Sequence, residues 1–330
     1  MEDIAKRLVA SGKGLLAVDD FTPGITRRLA AAGVPSTEES RRDYREMLFT
    51  TQQAMQDYVS GVILYDETFH QSARSGKLLR EIIHETGALI GIKLDKGQKP
   101  FDSELLTHGL EDLAQRIAAY KGGGASFGKW RAVISISNTL PTPACIRENA
   151  NALARYAEIC QAGGIVPIVE PDILMEGTHD IERCAEVTAA VLTEQFEQLS
   201  RVNLRAMILK PNMVTAGASS SRPADVQTVA DMTLDVLRRC VPADVAGIAF
   251  LSGGQSSRDA TAHLNRMNAS KAHPWPLTFS YNRALQDDAL KTWEGKPANI
   301  LAAQKAFAHR ARMNASASIG KWSEELEAQA

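Results

Sequence analysis

Eight short runs rich in Val, Ile and Leu recur along the chain, with stretches of helical pattern between them. The runs are Gly14–Asp19, Gly61–Thr68, Leu89–Asp95, Arg131–Ser137, Val166–Pro171, Ala206–Pro211, Gly247–Gly253 and Leu277–Arg283. Each is apolar at consecutive rather than alternate positions, as a strand buried on both faces should be. Strands of that kind belong to parallel sheets covered by helices, and eight β–α units predict an α/β chain closed into one (β/α)8 TIM barrel. A doubly wound open sheet is the competing architecture. The barrel is preferred because its active sites draw on the ends of several strands, and this chain places polar groups at those ends.

The helices are expected at Thr37–Tyr58, Glu104–Tyr120, Glu148–Gln161, His179–Leu199, Ala224–Cys240 and Ser256–Asn268. A last one runs from Pro297 to about Met313, Pro being tolerated at a first helical position. The second crossover has room only for Lys77–His84, and an initial helix Glu2–Val9 is placed to cover the barrel floor. The chain has 330 residues, a length that a barrel with extensions reaches. The Gly122–Gly124 run is too short to separate domains, so residues 1–330 read as one domain, with a polar tail over about 321–330.

Composition narrows the function. Charged residues make up 23% of the chain and its formal net charge is -2, so there is no broad basic field for a nucleic acid. The N-terminus lacks the apolar stretch of a signal peptide, and no apolar run is long enough to span a bilayer. Cys145, Cys160, Cys184 and Cys240 form no C-x-x-C pair, which fits a reduced, cytoplasmic setting. Gly123–Lys129 has the spacing of a P-loop, but it lacks the following Ser or Thr and leads into a strand. No His-Glu-x-x-His or close histidine pair occurs, so neither a metal nor another cofactor is expected.

The strand ends carry the candidate chemistry. Strand one ends in Asp19-Asp20, strand two near Glu67, and strand three carries Lys93 and Asp95. The fourth begins at Lys129-Trp130-Arg131, the fifth ends Glu170-Pro171-Asp172, and the sixth ends Lys210-Pro211-Asn212. Lys210 follows Met-Ile-Leu. Burial and a neighbouring cation favour a neutral lysine amine, which attacks a ketone; the alternative is a lysine that salt-bridges to Glu170. Glu170 and Asp172 lie on one face of their strand, so they form either an acid/base pair or part of an ion-pair network. Asp19 alone reads equally as a turn residue. Ser252-Gly253-Gly254 opens a helix whose N–H groups suit a phosphate, and Arg283 after strand eight adds a bidentate fork. Barrels often bind phosphate after strands seven and eight; the bland reading is a glycine turn beside a surface arginine.

These residues sit in long motifs: Gly12-Lys-Gly-Leu-Leu-Ala, Gly91-Ile-Lys-Leu-Asp-Lys-Gly, Gly164-Ile-Val-Pro-Ile-Val-Glu-Pro, Leu209-Lys-Pro-Asn-Met-Val-Thr, Phe250-Leu-Ser-Gly-Gly-Gln-Ser and Leu277-Thr-Phe-Ser-Tyr. With them the chain resembles the class I, Schiff-base fructose-bisphosphate aldolase family from about Leu8 to about Gly320. The resemblance implies a metal-independent lyase of glycolysis and carbohydrate metabolism, cleaving a ketose 1,6-bisphosphate to dihydroxyacetone phosphate and an aldehyde. It makes Lys210 the Schiff-base lysine, Glu170 the acid/base of carbinolamine chemistry, and Asp19 the carboxylate that handles the C4 hydroxyl proton. Lys129 and Arg131 become cations near the reacting carbons, and Asp172 the carboxylate orienting the lysines. Ser252, Gly253 and Arg283 fall at the C1-phosphate end with Asn282 beside them, Ser280 is a further substrate-binding residue, and Lys93 and Arg28 fall at the C6 end. The family commonly forms homotetramers, which is the expected assembly.

Three departures bear on substrate. Phe21 and Gly24 occupy the places of two serines that bind the C6 phosphate, and Asn282 replaces a glycine beside the C1 phosphate. The chain ends Glu-Ala-Gln-Ala, without the tyrosine that assists enamine protonation in vertebrate members. Beside fructose 1,6-bisphosphate, the sequence therefore leaves open a ketose 1-phosphate with another C6 group, such as the sulfonate of 6-deoxy-6-sulfofructose 1-phosphate. A barrel that binds without catalysis is the reading from another class, disfavoured by the joint presence of Lys210, Glu170 and Asp19.

Overall fold

The computed structural model describes residues 1–329. The barrel strands are β1 (Gly14–Val18), β2 (Val59–Leu64), β3 (Leu89–Lys93), β6 (Phe127–Ile134), β7 (Val166–Ile173), β8 (Ile208–Leu209), β9 (Ile248–Phe250) and β10 (Leu277–Tyr281). They close, all parallel, in the order β1-β10-β9-β8-β7-β6-β3-β2. The expected TIM barrel is therefore the fold, and the open sheet is excluded. The two remaining strands, β4 (Gln98–Phe101) and β5 (Glu104–Thr107), form a separate antiparallel hairpin.

Successive side chains on a strand point to opposite faces, and that parity sorts the core. Leu15, Ala17, Ile63, Phe127, Val166, Ile168, Ile208 and Ala249 pack inside the barrel, with Ala5 and Leu8 of the helix Glu2–Leu8 closing its floor. Leu16, Val18, Val62, Leu64, Val169 and Leu209 belong to the larger layer between strands and helices. A Cβ at Gly91 would lie 2.1 Å from the ring of Phe127, so only glycine leaves room for that plug. Two residues beyond Ala17, Phe127, Ile168 and Ile208 stand Asp19, Lys129, Glu170 and Lys210. The apolar interior thus dictates which polar residues emerge at its upper rim.

Several boundaries differ from those expected. The stretch Thr37–Tyr58 is two helices, Glu38–Phe49 and Gln52–Asp57, the first held by a Thr37–Ser40 capping box. The expected helix Glu104–Tyr120 begins as β5 and becomes helical only over Leu113–Gly122, beyond Gly109 at φ +121°. Strand two stops at Leu64, and Glu67 lies on the helix Asp66–His70, where Arg41 and Arg45 bind its carboxylate at 2.5 Å each. Glu67 is therefore an outer ion-pair residue and not part of the mouth. Two helices, Thr22–Ala31 and Arg283–Trp293, were not anticipated, and both flank the site. The tail carries the short helix Glu324–Glu327, with Trp322 Nε1 donating to Glu327 at 2.8 Å. Among the described residues no helix is long and apolar enough to cross a membrane.

Candidate active site

Strand register sets the level of the functional groups. Arg131 on β6 is the partner of Glu170 on β7, and Lys93 on β3 is the partner of Lys129. Lys210 continues β8, its N–H donating to the carbonyl of Val169 at 2.8 Å, so it rises beside Glu170. All fifteen of the catalytic and substrate-binding residues expected from the sequence line one cavity of about 850 Å³ at this rim.

The centre of the cavity is a buried charge chain. Lys210 Nζ lies 3.0 Å from Glu170 Oε1, while Lys129 Nζ lies 2.9 Å from Glu170 Oε2 and 2.5 Å from Asp19 Oδ2. Each of these four residues is less than a tenth exposed. Burial alone would raise the Asp19 pKa, but Lys129, Lys210 and Lys93 outweigh it and lower the carboxyl to about 2. Burial opposes ionisation of Glu170 too, and there Lys129, Lys210 and Arg131 hold it below the usual range. Burial would lower Lys129, yet Asp19 and Glu170 on either side hold its ammonium well above the ordinary lysine range. Lys129 is thereby fixed as a cation, whereas Lys210 is paired with one carboxylate oxygen, Glu170 Oε1, and with no second anion among the described residues.

Asp172, expected to orient the lysines, is held by Arg131: its Oδ2 accepts from Nη2 at 2.5 Å and from Nε at 2.6 Å, a forked pairing that a lysine does not offer. Burial, with Glu170 nearby, raises its pKa despite Arg131.

The C1-phosphate candidates lie together. The turn after β9 has Gly253 at φ +54° and Gly254 at φ +82°, consecutive left-handed residues that turn backbone N–H groups to one side. The helix Ser257–Ser270 follows, capped by Ser256. A Cβ on Gly254 would stand 3.7 Å from Arg283 Nη2, so the guanidinium lies against this turn, with no carboxylate partner among the described residues. Ser280 Oγ is buried nearby without a hydrogen-bond partner among the described residues.

The opposite end differs from what the residue types suggested. Lys93 Nζ is paired with Asp95 and sits 4.3 Å from the centroid of the Phe21 ring, which packs edge-on against Tyr65 at 5.7 Å. Burial lowers the Lys93 pKa, with Asp95 opposing and Lys129 reinforcing. Arg28, expected as a substrate cation, spends its guanidinium on Asp20 at 2.8 Å, Asn282 at 2.7 Å and Asp287 at 3.1 Å. Asn282, in turn, uses its side-chain oxygen on Arg28. Phe21 and Gly24 line this wall as expected, joined by Tyr65, Arg27 and Asp287, which sequence reasoning missed. Tyr65 had a signal, since it follows the last residue of an inward-facing strand.

No group of metal-ligating side chains occurs among the described residues. The four cysteines are free. A sequence model described as fructose-bisphosphate aldolase class-I, a glycolytic family, matches residues 1–330. Fructose-bisphosphate aldolase B of Gallus gallus is 50% identical over 328 residues, which cover 98% of this chain and 90% of the relative. Fructose-bisphosphate aldolase 2 of Caenorhabditis elegans is 48% identical over 331 residues, with the same coverages. Among solved structures, fructose-bisphosphate aldolase of Plasmodium falciparum, in a ternary complex with TRAP and a small-molecule inhibitor, superposes with a TM-score of 0.94. That pair shares 42% identity over 98% of this chain and 94% of the other. Whole-length similarity of this degree, on a closed barrel with a lysine–carboxylate chain at its mouth, makes the chain a member of the class-I fructose-bisphosphate aldolase family, a family of lyases.

Proposed function

We propose that this cavity cleaves fructose 1,6-bisphosphate to dihydroxyacetone phosphate and an aldehyde through a Schiff base on Lys210, with residues 1–330 acting as one aldolase domain. The observation that carries the reading is the Lys210–Glu170–Lys129–Asp19 chain. Glu170 takes a proton from the Lys210 ammonium at 3.0 Å, the neutral amine adds to the C2 carbonyl, and Glu170 returns that proton to the carbinolamine hydroxyl, which leaves as water. The resulting iminium is an electron sink. Asp19 takes the C4 hydroxyl proton, the C3–C4 bond breaks, and its electron pair becomes the enamine. Lys129 keeps both carboxylates ionised between steps and stays protonated, so it does not compete as nucleophile. Arg131 fixes Asp172 and adds positive charge beside Glu170. The Ser252–Gly254 turn, Ser280 and Arg283 take the C1 phosphate. A cytoplasmic location is proposed on the free cysteines, and a homotetramer on the family resemblance.

Turnover should survive EDTA unchanged. Loss of activity on chelation, restored by zinc, would overturn a lysine mechanism.

A second reading of the substrate is favoured by one observation, the Phe21 ring over Lys93. The ring and Asp95 together occupy the cation that a C6 phosphate would meet. A serine hydroxyl to a phosphate is worth about 1.5–3 kcal/mol when one partner is charged, and two such donors are missing at positions 21 and 24. The native chain should therefore favour fructose 1,6-bisphosphate over fructose 1-phosphate by a smaller factor in kcat/KM than the Phe21→Ser, Gly24→Ser double variant. The 6-sulfonate analogue should lose less than the phosphate does. A strong bisphosphate preference that the two serines fail to improve would show that Phe21 and Gly24 carry no specificity.

A further inference from the structure

Arg28 crosses the rim of the cavity and joins its two ends, bonding Asn282 and also Asp287 one turn further along the helix Arg283–Trp293. Asn282 stands at the N-cap of the helix Arg283–Trp293, yet its side chain makes no capping bond. Its Oδ1 accepts instead from Arg28 Nη1 at 2.7 Å and from Gln286 Nε2 at 3.0 Å. Gln286 Nε2 also donates to the carbonyl of Ala17 in β1 at 2.6 Å. Arg28 comes from the helix Thr22–Ala31, which has Phe21 as its N-cap and Gly24 in its first turn. Its side chain is 12% exposed, and Asp20 and Asp287 hold it from two further directions. Asn282 immediately precedes Arg283. The contact therefore links the segment bearing the far wall of the cavity to the segment bearing the phosphate arginine, 254 residues apart in the chain.

We infer that the Asn282–Arg28 pair is a clasp that sets the spacing between Arg283 and the far wall, which makes Asn282 a positioning residue for substrates anionic at both ends. The inference rests on the aldolase reading given above. Its physical basis is directional. A charged donor fixes its acceptor in distance and angle, and the Ala17–Gln286–Asn282 bonds leave the amide no alternative orientation. A ligand held only by the Arg283 segment moves with that segment and is indifferent to the gap. A ligand held at both ends loses alignment when the gap changes.

Asn282→Gly removes the acceptor. It should lower kcat/KM for fructose 1,6-bisphosphate by at least about tenfold, the scale of one hydrogen bond to a charged group, mainly through KM. The value for fructose 1-phosphate should fall far less. Asn282→Asp keeps an acceptor for both donors, so its ratio should stay far closer to native than that of Asn282→Gly. Arg28→Met also removes the bond to Asp287 on the same helix, so it should shift the ratio at least as far as Asn282→Gly, and adding Asn282→Gly to it should change it no further. Equal losses on both substrates, a ratio in Asn282→Asp as altered as in Asn282→Gly, or additive effects in the double variant would overturn the clasp. Borohydride trapping with dihydroxyacetone phosphate in the same proteins reads the Schiff base separately. An adduct on Lys210 with an unmoved substrate ratio overturns the clasp alone. No adduct in the unaltered chain overturns the aldolase reading and the clasp with it.

Discussion

Lys210→Met should lower turnover of fructose 1,6-bisphosphate by more than about five orders of magnitude, the scale seen when a covalent nucleophile is removed. Methionine fills a similar volume and leaves the stem of residue 210 packed at the top of β8. The electron sink is what disappears: without an iminium at C2, the C3–C4 bonding pair has no acceptor. The remaining charges still bind, so KM should move much less than kcat. Breaking a buried pair by deleting one partner costs about 3–5 kcal/mol when the other charge is left alone. Here Glu170 keeps Lys129 at 2.9 Å, so the loss of thermal stability should be below that range.

The matching positive experiment uses borohydride. Reduction in the presence of dihydroxyacetone phosphate should fix the ligand on Lys210, located by mass spectrometry of the digest. Two other buried lysines line the same cavity and serve as internal controls. Lys129 is clamped as an ammonium between two carboxylates, and Lys93 is occupied by Asp95 beneath the Phe21 ring. A label on either, with Lys210 unmodified, would reject the assignment.

The mouth was legible in the sequence because a buried barrel imposes strict alternation. Once Leu15 and Ala17, or Val166 and Ile168, are assigned to the interior, Asp19 and Glu170 must follow on the same side. What local pattern could not supply was partnership across the chain. Arg28 has Asp20 in its own segment, but its other partners, the Asp287 carboxylate and the Asn282 amide, lie more than 250 residues away. Asp172 likewise had a lysine as its natural guess, and only the β6–β7 register puts the Arg131 fork beside it. The helix Thr22–Ala31 escaped notice because Pro23-Gly24 reads as a turn, although proline at the start of a helix replaces an N–H that would be unpaired anyway. The hairpin of β4 and β5 was missed for the opposite reason. Its first strand, Gln-Lys-Pro-Phe, has no buried face to produce a hydrophobic period.

The second large effect is expected at Glu170. Glu170→Gln keeps the shape of the side chain and a hydrogen-bond acceptor for one lysine, but it removes the titrating oxygen. It should slow Schiff-base formation by about two to four orders of magnitude, the usual scale of general acid–base catalysis, with a much smaller change in substrate binding. The charge balance explains how a carboxylate held ionised at rest becomes an acid in the reaction. Lys129, Lys210 and Arg131 together keep Glu170 below its ordinary 4.5 in the free site. When the Lys210 amine becomes a neutral carbinolamine, one of those stabilising charges is gone while burial remains, so the affinity of Glu170 for a proton rises at the step that needs one. The iminium then restores the positive charge and returns the carboxylate to its ionised state. Because the resting form must be ionised, the acid limb of kcat/KM should lie below pH 4.5, and turnover should fall only as the pH drops through that lowered value. Glu170→Gln should abolish this limb while leaving the Lys210 adduct slow but detectable. If Glu170→Gln turns over within about threefold of the native chain, proton transfer by this residue is too small to count as general catalysis. Asp172, whose carboxyl is raised by burial, then becomes the acid.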